Sequence, residues 1–162
     1  MPTNVFISFE RRDLEYVNSI RALANNPQHD LEFHDRSEIK PVTDRNGKPL
    51  QYPPHHDGAK PIKKELKRLL KKATKMVVVV GEYTHESDWV NWEIQSFRDR
   101  YSSKSGYGDK RITALYIPEA KNVILPRIIR TYSIKPIQWN MNTLVYWINA
   151  NPNQELPILP FP

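Results

Sequence analysis

The sequence contains no cysteine and only five glycines among its 162 residues. Without cysteine, a disulfide framework, a thiolate metal site and a cysteine nucleophile are all excluded. The phosphate-binding motifs GxGxxG and the P-loop are absent, as is the GxSxG motif of serine hydrolases. The longest uninterrupted apolar run covers residues 76–80, far short of the roughly 20 residues that a membrane span requires.

A secretory signal is also missing, because no basic segment followed by an apolar run opens the chain. These absences predict a soluble, cytoplasmic protein without a membrane partner. Hydrophobic residues make up 39% and charged residues 26% of the chain, which is enough for a packed core. The length predicts one domain over residues 1–150, followed by a proline-rich tail at residues 151–162.

Positive charge exceeds negative charge, with 24 basic and 18 acidic residues and a formal net charge of +6. Seven of the basic residues lie within residues 60–72, where apolar residues recur along one helical face and the lysines occupy the other. No interleaved aromatic residues or nucleic-acid motif accompany them, so we do not expect nucleic acid as a partner. The adjacent His55 and His56 lack a second ligand pair at helical spacing, and no metal site is predicted.

Short apolar runs alternate with amphipathic segments, in an order that predicts an α/β sandwich around a central parallel sheet. Asp13 is a candidate N-cap of the first helix, a long polar loop covers residues 35–58, and a mobile connector covers residues 101–110. In such sheets, ligands bind beyond the carboxyl ends of the strands. The predicted strands lie at residues 4–9, 30–34, 75–80, 111–117 and near 133–139, and the predicted helices at residues 14–24, 60–72, 88–97 and 141–148.

Glu93 and Trp89 share one face of the helix that follows the most apolar strand, since they are four residues apart. A carboxylate at such a place can stabilise the positive charge that develops on a ribose when an N-glycosidic bond breaks. The neighbouring indole can stack on a base or a nicotinamide ring. From spacing alone, a core tryptophan with an ordinary glutamate at the helix edge explains the pattern better than a functional site.

Other candidates follow the first two predicted strands. Phe9, Arg11 and Arg12 lie at the end of the first strand, where arginines can bind a pyrophosphate in bidentate fashion; a solvated first helical turn is the competing interpretation. Asp35 follows the second strand and can hold a ribose hydroxyl or begin a turn.

Several of these segments together resemble TIR domains. Residues 5–9 (VFISF) resemble the opening strand of that family, and residues 33–35 (FHD) resemble its second strand and the acidic residue that opens the BB loop. Residues 87–93 (SDWVNWE) resemble the S-x-W-C-x-x-E segment of TIR enzymes that cleave NAD, with Val90 where cysteine is common. The resemblance spans about residues 4–139 and is strongest to the small TIR-like branch that acts as sensor in Thoeris antiphage systems.

This resemblance implies a flavodoxin-like, three-layer fold and an enzyme of the NAD nucleosidase or ADP-ribosyl cyclase type. Its substrate is NAD, and no cofactor or metal is expected. By position, Glu93 matches the catalytic glutamate, and six residues match substrate-binding positions: Phe9, Arg12, Asp35, Tyr83, Ser87 and Trp89. The loop at residues 36–58 is longer than the usual BB loop.

The implied partners are a phage-derived trigger and a separate effector, which the cyclic ADP-ribose-like product would reach; a homo-oligomer is left open. Two other functions stay open as well. One is a non-enzymatic TIR-like interaction module that uses the basic helix as its contact surface. The other is an enzyme resembling nucleoside deoxyribosyltransferases, which share the fold type and also use a glutamate on a sugar, so the fold alone does not decide among them.

Overall fold

Five parallel strands form a single sheet in a computed structural model that describes residues 2–100 and 109–151. The strands are Thr3–Ser8 (β1), Leu31–His34 (β2), Lys75–Val80 (β3), Ile112–Tyr116 (β4) and Pro136–Ile137 (β5). The helices are Leu14–Arg21 (α1), Lys60–Lys72 (α2), Asp88–Arg100 (α3), Arg127–Thr131 (α4) and Met141–Asn149 (α5). The strand order β2-β1-β3-β4-β5 is that of flavodoxin-like folds and confirms the predicted fold class.

Helices cover both faces of the sheet, so the central strands are buried on both sides. All six residues of β3 are buried, as its continuous apolar sequence predicts. Along β1, side chains alternate between the faces: Phe6 packs with α2 and α3, whereas Val5 and Ile7 pack with α1 and α5. By the same alternation, Ser8 points toward α3.

The elements that the sequence predicted are present, with small shifts at their ends. The strand predicted near residues 133–139 is only the two residues of β5, and helix α4 was not predicted. The predicted connector at residues 101–110 lies almost wholly outside the described residues, as does the tail at residues 152–162. The division into a domain at residues 1–150 and a tail therefore stays a prediction. Within the described part of the chain, no helix is long and apolar enough to cross a membrane.

Asp13 precedes α1, but its side chain makes no capping hydrogen bond, contrary to the prediction. The carboxylate of Glu10 accepts the N–H of Arg12 instead, because a short 3₁₀ turn comes before the helix. The Asp13 carboxylate lies against Gly81, where an added Cβ would stand 2.7 Å from Oδ2. Burial, reinforced by the nearby charge of Glu10, raises the pKa of Asp13 to about 6.

The long connection between β2 and α2 has local structure of its own. It begins with a 3₁₀ turn at Arg36–Glu38, ends with another at Asp57–Ala59, and carries an antiparallel bridge between Thr43 and Pro49. Its length agrees with the prediction of a loop over residues 35–58. Because β2 is an edge strand beside β1, this connection passes next to the carboxyl end of β1.

Candidate functional site

The carboxyl ends of β1 and β3 lie side by side where the chain connection reverses direction across the sheet. From β1 the chain continues to β2 on one side, and β3 lies on the other. Such a reversal leaves a crevice at the carboxyl ends of the two strands, which is the usual ligand site of this architecture. Helix α3 begins just beyond β3 and contributes its first two turns to this crevice.

Glu93 occupies a core position of α3. The buried residues of this helix, Val90, Glu93, Ile94 and Phe97, follow a single stripe at spacings of three and four residues. Glu93 is only 1% exposed, although a carboxylate is rarely buried unless it is paired. Its place in the stripe aims it at β1, where the side chain of Ser8 faces the same side of the sheet.

The two carboxylate oxygens of Glu93 have different surroundings. Oε1 accepts a 2.7 Å hydrogen bond from the Ser8 hydroxyl and lies 3.2 Å from Nη1 of Arg36. Among the described residues, Oε2 has no hydrogen-bond partner. Burial raises the pKa of Glu93 to about 7, against the opposing effects of the Arg36 charge and the Ser8 hydrogen bond. A pKa near 7 leaves a large protonated fraction of Glu93 at neutral pH.

Arg36 joins Glu93 to Trp89. Its guanidinium carbon lies 5.6 Å from the centre of the Trp89 ring, within the range of a cation–π contact. The indole N–H of Trp89 donates a 3.0 Å hydrogen bond to the carbonyl of Tyr52, in the connection between β2 and α2. The indole edge of Trp89 thus contacts the loop, and its ring lies near the Arg36 guanidinium.

An open cleft of about 340 Å³ lies outside this cluster. Its size falls at the lower end of the range for small-molecule sites. Glu93 is not among the lining residues, because Arg36 stands between the carboxylate and the cleft. The lining comes from the end of β1, the β2–α2 connection and the first turns of α2 and α3: Glu10, Arg11, Arg36, Ile39, Pro41, Leu50, Gln51, Tyr52, Ile62, Ser87 and Trp89.

The remaining residues that the sequence nominated are distributed around the cleft. Ser87 lines it, and its hydroxyl accepts the N–H of Val90 at 3.2 Å, so Ser87 caps the start of α3. Arg12 lies 4.1 Å above the ring of Tyr83, and both side chains are exposed beside the cleft rather than within its lining. The neighbouring Arg11 takes the place in the cleft wall.

Phe9 and Asp35 are placed in structural surroundings. Phe9 is 7% exposed and packs with the core beneath α1 and α5, with the Arg21 guanidinium 6.0 Å from its ring. The Asp35 carboxylate accepts hydrogen bonds from Arg21 at 2.5 and 3.0 Å and from the Ser37 N–H at 2.8 Å. It therefore anchors the base of the β2–α2 connection, and its oxygens are already occupied.

Ser8 and Arg36 are the site residues that sequence reasoning missed. Ser8 is 85 positions from Glu93, and Arg36 is 57 positions away. The available signal for Ser8 was the alternation of β1, which turns every second side chain toward α3. For Arg36 no comparable signal existed, because the path of a long loop does not follow from periodicity.

The arrangement combines a buried, partly protonated carboxylate, a planar aromatic face and a cleft with cationic side chains. These groups suit the stabilisation of a positive charge on a bound sugar. Within residues 2–100 and 109–151, no group of three or more His, Asp or Glu side chains could hold a metal ion. The side chains that meet around Glu93 offer carboxylate, hydroxyl, guanidinium and indole groups.

Comparison with known families gave a match for this chain. The family model described as Thoeris protein ThsB, TIR-like domain, matches residues 6–125. The chain belongs to this family. The match includes Ser8, Arg36, Trp89 and Glu93, and membership places the chain among TIR-type proteins of antiphage defence. A comparison with curated proteins gave no match.

Proposed function

We propose that this Thoeris TIR-like chain cleaves NAD at the bond between nicotinamide and ribose. The proposal is supported chiefly by Glu93, a buried carboxylate beside an indole at the carboxyl ends of β1 and β3. The other supports are the cleft beside it and the residue-by-residue resemblance of residues 87–93 to TIR enzymes. NAD is the substrate, and the reaction requires no metal or additional cofactor.

In the proposed reaction, the bond from ribose C1′ to the nicotinamide nitrogen breaks, and its electron pair stays on that nitrogen. The pyridinium becomes neutral nicotinamide, so this leaving group needs no proton. The ionised form of Glu93 stabilises the positive charge that develops on the ribose. Attack by water gives ADP-ribose and a proton, whereas attack by an adenine nitrogen gives a cyclic ADP-ribose and a proton. We favour the cyclic product as a signal to a separate effector.

The remaining cleft residues have proposed binding roles. Trp89 offers its ring to the nicotinamide. Arg11 lines the cleft and can neutralise the pyrophosphate, a role that the sequence also allowed for Arg12. Ser87 and Tyr83 lie at the start of α3 and in the turn before it, near the same opening. We further propose that a trigger produced on infection activates the chain and that several copies assemble.

The test is detection of nicotinamide and ADP-ribose products from NAD by chromatography and mass spectrometry. Wild type should release nicotinamide, and Glu93→Gln and Glu93→Ala should reduce that release by at least about a hundredfold, since the charge stabilisation is lost. Glu15→Gln, which removes an exposed carboxylate on α1, is the matched control. Extracts of resting and phage-infected cells, added separately, show whether a trigger is required. Full turnover by Glu93→Gln would refute the assignment.

One observation favours the non-enzymatic alternative: Glu93 is buried and does not line the cleft, whereas Arg36 lines it and lies 3.2 Å from Oε1 of Glu93. If neither extract elicits turnover from folded wild type, and a partner binds equally to wild type and Glu93→Gln, the chain is an interaction module. A panel of deoxynucleosides separates the deoxyribosyltransferase alternative, which predicts base exchange on those substrates and none on NAD.

A further inference from the structure

We infer that Glu93 and Trp89 form a subsite for a planar cation, and that Arg36 is its internal occupant, which an incoming ligand must displace. The inference rests on the proposed function only where it names the substrate's nicotinamide ring as that ligand. The subsite itself is argued from the contacts of Arg36.

The Arg36 guanidinium matches its surroundings in shape and charge. The group is planar and carries one positive charge spread over the plane. One edge is 3.2 Å from Glu93 Oε1, and its centre is 5.6 Å from the Trp89 ring centre. A carboxylate beside an aromatic face is a good environment for any planar monocation, and the oxidised nicotinamide ring is another such group.

The contact between Arg36 and Glu93 is close but poorly aligned. Nη1 of Arg36 is buried and lies 3.2 Å from Oε1 of Glu93, yet among the described residues it has no well-aligned hydrogen-bond partner. Oε2 of Glu93 is likewise unpartnered. A guanidinium normally binds a carboxylate through two parallel hydrogen bonds. Here that geometry is absent, and a better-fitting cation can compete.

The backbone of Arg36 is held by its neighbours, whereas its side chain can rotate into the cleft. Asp35, the residue before it, is held by Arg21 and by the N–H of Ser37. The Arg36 side chain is 26% exposed and lines the cleft. Rotation about its side-chain bonds therefore moves the guanidinium into the cleft without unfolding the loop, and this opens Glu93 to a ligand.

The consequence is a built-in competition. In wild type, a ligand must displace Arg36 before it reaches Glu93. Its apparent affinity is therefore the intrinsic affinity multiplied by the fraction of molecules in which Arg36 has left the subsite. Removing the guanidinium should leave a subsite that accepts small planar cations from solution. Neutral groups of the same shape should bind poorly, because the buried Glu93 carboxylate would lack a counter-charge.

The binding test uses purified full-length wild type, Arg36→Ala and the double variant Arg36→Ala/Glu93→Gln. The probes are methylguanidinium and 1-methylnicotinamide, which are planar monocations, with urea and nicotinamide as their neutral counterparts. Calorimetry is done at pH 9, because removing the Arg36 charge raises the pKa of Glu93. The cations should bind Arg36→Ala at least about tenfold more tightly than wild type or the double variant. Arg45→Ala, which removes an exposed arginine of the β2–α2 connection outside the cleft lining, should bind the cations as weakly as wild type.

The activity test completes the design. At the same pH of 9, which favours the ionised form of Glu93, Arg36→Ala should turn over NAD about tenfold faster than wild type at low substrate concentration. Methylguanidinium should inhibit it competitively at concentrations that leave wild type unaffected. Arg36→Gln, with an uncharged planar end, guards against a folding defect in the alanine variant and should show the same cation binding.

The outcomes separate this inference from the proposed function. Cation binding that needs Glu93, without NAD turnover in any variant, supports the subsite and rejects the proposed reaction. Turnover that requires Glu93, with no cation binding to either Arg36 variant, rejects the subsite alone. A higher KM in Arg36→Ala without cation binding would make Arg36 a substrate ligand and would overturn the inference.

Discussion

Ser8 and Glu93 form the closest contact of the site at the scale of single residues. The hydroxyl donates to Oε1 at 2.7 Å, and both side chains are 1% exposed or less. A hydrogen bond to an ionised group in a buried place favours the charged form. Ser8 therefore acts as a positioning residue: it holds Oε1 and keeps part of the carboxylate ionised near pH 7.

Replacing Ser8 by alanine should raise the pKa of Glu93 further, by roughly one unit, because burial then acts with less opposition. The carbon signal of a labelled Glu93 carboxyl group, followed by NMR through a pH titration, measures this directly. If the chain cleaves NAD, the acid limb of the pH profile should move upward by the same amount. Ser19→Ala, on the exposed side of α1, serves as control. An unchanged Glu93 titration would show that Ser8 has only a packing role.

At the scale of elements, the connection between β2 and α2 is fastened at two points. Asp35 holds its beginning through Arg21, and the Trp89 indole holds its later part through the Tyr52 carbonyl. The Tyr52 ring also stacks on His56 at 4.5 Å, just before α2. Between these points, Ile39 packs against the core beside α2 and α3, and the bridge between Thr43 and Pro49 closes a turn.

Trp89→Phe retains an aromatic ring but removes the indole N–H. We expect amides at residues 39–52 to exchange with solvent faster, and the unfolding free energy to fall by about 1 kcal/mol, the usual value of one hydrogen bond. Hydrogen exchange read by mass spectrometry measures the local effect. Trp92→Phe is the control, since Trp92 packs edge-on against Trp89 at 5.7 Å. Equal exchange in the two variants would mean that the indole hydrogen bond does not hold the loop.

At the scale of the whole molecule, Glu93 makes stability depend on pH. Its pKa is raised from an ordinary 4.5 to about 7 by burial, so the folded chain binds this proton more tightly than the unfolded chain does. Between about pH 4.5 and pH 7 the stability contribution of Glu93 therefore falls as pH rises. Above this range, the folded protein contains a buried charge that only the Arg36 ion pair and the Ser8 hydrogen bond offset.

Glu93→Gln should accordingly be more stable than wild type at pH 8, by about 1–3 kcal/mol, and about equal to it at pH 5. Urea denaturation at the two pH values measures the difference. Glu15→Gln should show no such dependence, because Glu15 is exposed. If Glu93→Gln lost stability at pH 8, the ion pair with Arg36 would outweigh the desolvation of the carboxylate.

The excess positive charge of the chain is concentrated on one helix. Helix α2 carries seven basic residues and one acid, so it alone accounts for an excess equal to the chain's net charge of +6. Its apolar residues Leu66, Leu69 and Leu70 are buried and leave the lysines at the surface, as the helical pattern predicted. The remainder of the chain is electrically balanced.

Local patterns were sufficient for the sheet and the larger helices, because burial imposes a periodicity that the sequence must display. The valine run of β3 and the stripe of α3 are examples. Helix α4 was missed because its five residues are too few to show a helical period, and β5 has only two residues. Asp13 failed as a cap because a turn capped by Glu10 precedes the helix, which was not recognised.

The sequence by itself determined the fold class, the placement of Glu93 beside Trp89 and the concentration of charge on α2, since each depends on neighbours within a few helical turns or along one strand. Only the tertiary structure decided which groups meet Glu93. Ser8 contacts Glu93 because α3 packs on the face of the sheet toward which Ser8 points. Arg36 contacts it because the loop after β2 lies over the crevice. Both contacts join residues more than 50 positions apart, and no local periodicity encodes them. The burial of the Glu93 carboxylate therefore results from packing between distant segments, and local sequence patterns do not specify such packing.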